Sequence, residues 1–162
     1  RIAIPRLQYE APVREGADAE TLAYGPGHLP GTALPGEESG RKHAVIAIAR
    51  DAGAEVATAL VLGDLVDLRT PFGARTYRVV SRRILRAEDL RIEPTDQPTL
   101  SLVAPYPADS VGPAPLRLAI RAEPMPALAG PASSAIKSAT RSTGQSLTLG
   151  DLSFSWALRE GR

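Results

Sequence analysis

The sequence predicts a mainly β protein built around one principal domain. Three observations carry that expectation. The chain holds 14 Gly and 15 Pro, scattered between short apolar stretches rather than gathered in one linker. Those stretches are rich in Val, Ile and Leu and too short for helices. Thr70-Pro71-Phe72-Gly73 separates two of them as a hairpin turn would, with Gly73 free to take positive φ. At 162 residues the chain is long enough to bury one real core but not comfortably two.

In chain order, strands are expected at Ile2 to Ile4, His43 to Ala49, Leu65 to Thr70, Arg75 to Ile84, Leu100 to Val103 and Leu116 to Ala122. Pairing across the turn at Thr70 to Gly73 is expected to be antiparallel. Helix is limited to Ala17 to Ala23, entered through Asp18 as N-cap, and to a turn at Glu55 to Leu60. Short helices set around a β core suggest a decorated barrel over residues 1–123. Residues 124–145 are rich in Pro, Ala and Ser without a usable period and read as an extended linker. Within residues 146–162, Leu152, Phe154, Trp156 and Leu158 alternate as a strand does. Aromatic anchors on such a strand suit docking against a partner sheet or groove, or against the barrel's own surface.

Composition removes several function classes. Apolar residues make up 43% and charged residues 23%, as in ordinary globular proteins, and no run approaches the ~20 apolar residues of a membrane span. The net charge is +1, and neither end is basic enough to argue for nucleic acid. With no cysteine at all, disulfides, thiolate metal sites and a Cys nucleophile are excluded together. The abrupt opening on an apolar RIAIP segment leaves room for a leader or membrane anchor ahead of it.

Single motifs give bland readings. The glycines of Gly25-Pro26-Gly27-His28-Leu29-Pro30-Gly31 do not have phosphate-loop spacing, and prolines remove backbone donors. His28 and His43 lack the partners of a metal motif, so neither a metal nor a cofactor is expected. Glu37 with Glu38, and Asp64 with Asp67, read as solvated turn and strand-start charges. Arg82, Arg83 and Arg86 read as a solvated face. Ser101 and Ser110 have no base close in sequence.

Taken in order, however, IAIPRLQYEAPVREG, TLAYGPGHLPGTALPGE, HAVIAIARD, LGDLVDL, PTDQPTLSLVAPYP and VGPAPLRLAIRAE resemble a sortase, nearest to the class D and E type, over almost all of Ile2 to Glu123. The resemblance implies a closed eight-stranded β-barrel and an extracytoplasmic cysteine transpeptidase working with His, Cys and Arg. Residue by residue, the family's histidine falls on Ala49, with Ile48 in place of the glycine before it. Its cysteine falls on Pro105, and its arginine survives as Arg117. Proline offers neither a nucleophile nor a backbone N–H, and alanine moves no proton.

The expectation from these residues is therefore a protein that is not an enzyme: a noncatalytic subunit of a membrane-associated complex in the periplasm or on the outer face of the cytoplasmic membrane. It would dock other, membrane-bound protein subunits through Leu152, Phe154, Trp156 and Leu158. Membrane proximity would come through a partner or an N-terminal anchor. Two alternatives are a peptide-binding module that uses Arg117 in a relic groove, with Ile48 and Pro105 on the groove floor, and a hydrolase or transpeptidase using Ser101. Ser101 shares a strand facing with Pro105 but has no visible base.

Overall fold

The computed structural model describes residues 1–35, 41–51, 53–92, 95–109 and 114–126. The strands are β1 (Ile2–Ile4), β2 (Tyr9–Ala11), β3 (Arg14–Glu15), β4 (Gly27–His28), β5 (His43–Ala47), β6 (Leu65–Thr70), β7 (Gly73–Arg86), β8 (Thr99–Tyr106) and β9 (Leu116–Pro124). Two short helices, α1 (Ala19–Leu22) and α2 (Ala54–Ala59), interrupt them. The docking segment with Leu152, Phe154, Trp156 and Leu158, and the linker past Pro126, lie outside the described residues.

All nine strands join one sheet in the order β2-β1-β6-β7-β9-β8-β5-β4-β3. Its two ends, β2 and β3, are separated in the chain by only Pro12 and Val13. The three chain steps from Ala11 to Arg14 span at most ~11 Å, so the two edges must approach each other there and the sheet must curl on itself. This is the mainly β, barrel-like fold that the sequence predicts, drawn as nine strand segments rather than eight. Every expected strand is present. β7 is longer at both ends than Arg75 to Ile84, and β8 runs on from Val103 through Tyr106.

Period-two alternation fills the interior. Ile2 and Ile4 of β1, Ile46 of β5, Val66 and Leu68 of β6, Leu100 and Leu102 of β8, and Leu118 and Ile120 of β9 are each no more than 1% exposed. Burying one such side chain contributes ~1.5 to 3 kcal/mol. Ala54, Ala57 and Leu60, all 0% exposed, add the apolar side of α2 to the same core. Helix α1 starts where its N-cap predicts: Thr21 N donates to Asp18 Oδ1 at 2.9 Å.

The β6–β7 hairpin is antiparallel, as expected, with Thr70 paired to Gly73. Gly73 does not take positive φ. The turn is shaped instead by Thr70 Oγ1, which accepts from Phe72 N and Gly73 N, each at 3.1 Å, and donates to Pro35 O at 2.7 Å. β7 carries a bulge between Val79 and Ser81, which changes the facing of everything beyond it.

Asp64 is not a solvated charge. It is 7% exposed and takes two bonds from the Arg6 fork, Nε to Oδ1 at 2.5 Å and Nη2 to Oδ2 at 2.7 Å. Arg6 Nη2 also donates to Ala59 O, and Val61 N donates to Asp64 Oδ2. One carboxylate thus ties the β1–β2 connection to the turn entering β6. Sequence alone missed it because the partners are 58 residues apart. Asp67 is also engaged, accepting from Thr76 Oγ1 across the hairpin.

Two consequences for stability follow from this fastening and from the close approach at Gly27. The Arg6 guanidinium holds the Asp64 carboxyl below the ordinary carboxylate range, so its stabilisation is full above the unfolded value of ~4 and is lost as pH falls through the lower folded value. Asp64→Asn should cost about 1 to 3 kcal/mol at neutral pH, read as a lower urea midpoint. The gap from the parent protein should narrow below about pH 4. A Cβ on Gly27 would stand 2.1 Å from Gly16 O, and backbone cannot swing aside. Gly27→Ala should therefore destabilise by about 2 kcal/mol or more in the same titration, because it forces β3 and β4 apart.

Candidate active site on the outer face of the sheet

The alternation that fills the core also decides which residues face outward. On β8, Leu100, Leu102 and Ala104 are buried inward, leaving Ser101, Val103 and Pro105 on the opposite face. On β9, Leu118, Ile120 and Ala122 point in, and Arg117, Ala119 and Arg121 point out. On β5, Ala44 and Ile46 belong to the core, while His43, Val45 and Ala47 take the opposite facing, where Val45 is itself covered at 2% exposed. Strand β8 pairs parallel with β5 and antiparallel with β9, so the three outward rows lie side by side.

At one end of these rows stand the family positions. Pro105 is directly opposite Arg117. Arg117 Nη1 donates to Ala114 O and to Leu116 O, both at 2.9 Å, so this cation braces the chain entering β9. Ala49 follows the end of β5. Ile48 is 2% exposed and packs in the central cluster, so it faces the core and does not occupy the outer groove floor.

Further along the same rows is a constellation that sequence reasoning did not assemble. His43 Nε2 lies 2.8 Å from Ser101 Oγ, the distance at which a hydroxyl donates to a neutral imidazole. The base that Ser101 lacks in sequence is 58 residues away, delivered by the parallel β5–β8 register. That register pairs Val45 with Ser101 and sets His43 two residues before Val45 on the same face. On the other side, Arg121 is directly opposite Ser101. Its guanidinium is 3.9 Å from the Glu123 carboxylate, both side chains being about half exposed at 50% and 56%. A nucleophile-capable hydroxyl, an imidazole in contact with it and a guanidinium on the next strand thus share one face, the hydroxyl and imidazole half-buried and the guanidinium exposed. Ser110, Glu37 and Glu38 lie outside the described residues.

The other candidates resolve structurally. His28 is 4% exposed. Its Nδ1 is 2.7 Å from Glu15 Oε2, and its Nε2 is 2.9 Å from Thr32 Oγ1. Thr32 Oγ1 donates to Leu29 O and accepts from Val45 N. This chain of bonds fastens β3 and the loop after β4 to β5, the structural role expected of His28. Arg82 donates to Thr58 O, and Arg86 lies 3.7 Å from Glu88. Among the described residues no group of three or more His, Asp or Glu could hold a metal ion, and no helix is long and apolar enough to cross a membrane.

Comparison with known proteins gives this geometry its relatives. The sortase domain family matches residues 2–125. Sortase D of Bacillus subtilis (strain 168) is 32% identical over 121 residues, 74% of this chain and 60% of that protein, so the chain spans about three fifths of the curated relative. Among solved structures, sortase C-1 from Actinomyces oris superposes with a TM-score of 0.65 at 27% identity, covering 78% of this chain and 71% of that one. Sortase C from Clostridium perfringens SM101 does so with a TM-score of 0.63 at 26% identity, covering 77% and 68%.

These matches overturn the expectation that the protein is not an enzyme. Its relatives are sortases by name over the whole described fold. What Ala49 and Pro105 remove is one thiol route, while His43, Ser101 and Arg121 keep an imidazole, a hydroxyl and a guanidinium on the same outer face. On the family match and the superposed fold together, this chain belongs to the sortase family.

Proposed function

We propose that the chain is an extracytoplasmic acyl-transfer enzyme of the sortase family that uses Ser101 in place of a cysteine, with His43 as its general base. The single observation that carries this reading is the 2.8 Å contact between His43 Nε2 and Ser101 Oγ. A hydroxyl is a poor nucleophile at its own pKa and needs an adjacent base, which a neutral imidazole in hydrogen-bond contact supplies.

The steps balance as ordinary acyl transfer. Ser101 Oγ attacks a peptide carbonyl carbon as its proton passes to His43 Nε2. The tetrahedral adduct collapses with cleavage of the C–N bond, and the departing amine takes the proton from His43, leaving an ester on Ser101. An incoming amine or water, deprotonated by His43, then attacks the ester; the bond to Ser101 Oγ breaks as Oγ takes the proton back from His43, releasing the acyl group. Arg121, on the strand beside Ser101, supplies positive charge near the developing oxyanion.

A biotinylated fluorophosphonate tests this directly. The parent protein should be labelled at Ser101, as mapped by peptide mass spectrometry. Ser101→Ala should abolish labelling, and His43→Gln should slow it by about 10² to 10⁴-fold, the usual contribution of a general base. An unlabelled Ser101 in folded protein, or labelling indifferent to His43, would rule the reading out.

A second role is favoured by the alternation of Leu152, Phe154, Trp156 and Leu158 in the sequence. We propose that residues 146–162 form a docking segment, carried on a linker, that joins the enzyme to membrane-bound protein subunits on the outer side of the cytoplasmic membrane. Affinity purification from gently solubilised membranes should recover a defined set of proteins with the full chain. That set should be lost with a version ending at Pro126. This end point keeps β9 and the Met125 N to Thr76 O bond intact. Recovery of the same set with both versions would assign docking to the barrel instead.

A further inference from the structure

The outer face beside Ser101 carries more arginines than the acyl-transfer chemistry itself requires. On β9, Arg117 and Arg121 flank Ala119, each two residues away on the same face. On β7, Arg83 is directly opposite Ala119. The bulge after Val79 puts Arg83 there. With unbroken alternation, residue 83 would follow Val79 inward. After the bulge, Ser81, Arg83 and Leu85 oppose Arg121, Ala119 and Arg117, while Arg82 and Ile84 oppose the inward Ile120 and Leu118. Three arginines therefore occupy register positions next to Ala119, the smallest outward side chain of β8 and β9.

Their charge is nearly uncompensated. Among the outward residues of β8, β9 and the part of β7 beyond the bulge, Glu123 is the one carboxylate, and it approaches only Arg121, at 3.9 Å. Arg83 is exposed, with no ion-pair partner among the described residues. Arg117 is occupied by backbone carbonyls rather than by an acid. No aromatic side chain stands on this patch to stack a nucleobase. Ala119 is diagonal to Ser101 across the β8–β9 pair, about 7 to 8 Å away. That is close to two residue steps of extended peptide at ~3.3 Å each.

We propose that Arg83 and Arg121, with Ala119 between them as the seat, bind an acidic side chain of an extended peptide substrate, placed about two residues from the carbonyl that Ser101 attacks. The site thereby selects acidic peptides, an inference that rests on the acyl-transfer reading for the position of the scissile bond. The bound carboxylate replaces the missing counter-ion of the arginine cluster, and the small alanine leaves room for it to reach both forks.

Fluorescence anisotropy on the full chain tests the proposal with two labelled decapeptides, one rich in Glu and Asp and one with Gln and Asn in their place. The acidic peptide should bind at least 10-fold more tightly at low salt, and the advantage should shrink as salt rises. Arg83→Glu and Arg121→Glu should each remove the advantage, as should the milder Arg83→Gln and Arg121→Gln. Arg86→Glu, an equal charge change on the opposite facing, should leave most of it. Ser101→Ala should bind both peptides as the parent protein does; a parent protein that fluorophosphonate fails to label while it still prefers the acidic peptide would fell the enzyme reading alone. Equal affinity for the two peptides, absence of binding, or an equal loss in Arg86→Glu would overturn the proposal.

Discussion

The arrangement depends above all on the register of β5 and β9 against β8. Strand β8 lies between a parallel neighbour and an antiparallel one, and its hydrogen bonds fix both at once. A slip of one residue on either side would turn Ile46 or Ile120 out to water and bring Val45 or Arg121 into the core. Buried Ile46, Leu102 and Ile120 share one row of this register, so the hydrophobic core itself holds the alignment. The outer face inherits its geometry from that choice. His43 meets Ser101, and Arg121 sits across from it, because the inward residues of the same three strands admit no other pairing.

A sheet of nine strands positions such a face only if its curvature is fixed, and two local constraints fix it. The connection between β2 and β3 is too short for the sheet to open. The Arg6–Asp64 bond pair then anchors the β1 side of the sheet to the turn before β6. At the other end β4 comes so near the chain at Gly16 that only glycine fits at position 27. The His28 chain of hydrogen bonds satisfies the polar groups that this tight closure buries. Its residues carry much of the motif resemblance in GPGHLPGT, which explains why a histidine without catalytic work stands inside so specific a pattern.

Strand order along the chain was legible from runs such as VIAI, LSLV and LRLAI, since β-branched and leucine-rich runs between Gly and Pro have few other uses. The N-cap at Asp18 was legible for the same local reason. Facing and partnership were not. Asp64 reads as a loop acid until Arg6 is brought to it from the far end of the sheet. Ser101 reads as a hydroxyl without a base because parallel pairing joins segments with no local signal. The bulge at Val79 to Ser81 carries no proline or glycine to announce it, so Arg82, Arg83 and Arg86 look like one solvated face in sequence, although the bulge sets Arg83 apart from Arg82 and Arg86. The family positions Ala49, Pro105 and Arg117 are legible residue by residue, and so is the shared facing of Ser101 and Pro105, but the imidazole beside Ser101 is not.

The sheet shows how the proposed site relates to the family positions. Moving a nucleophile along a strand by an even number of residues preserves its facing, and Ser101 is four residues before Pro105. An antiparallel neighbour must then move the opposite way by the same count, and Arg121 is four residues after Arg117, so each pair is directly opposed in the same register. A parallel neighbour must move with the nucleophile, and His43 is six residues before Ala49, again an even step. The outer face thus presents Ser101 and Arg121 displaced by four residues, about 13 Å, along the strands at ~3.3 Å per residue, and His43 displaced by six. Its imidazole reaches the hydroxyl from a diagonal position rather than from directly across. A reaction built on contacts between neighbouring strands is defined by register and facing, so the same sheet can support it at more than one height. On the proposed reading, the height is set by which residues there can move a proton and hold a negative charge.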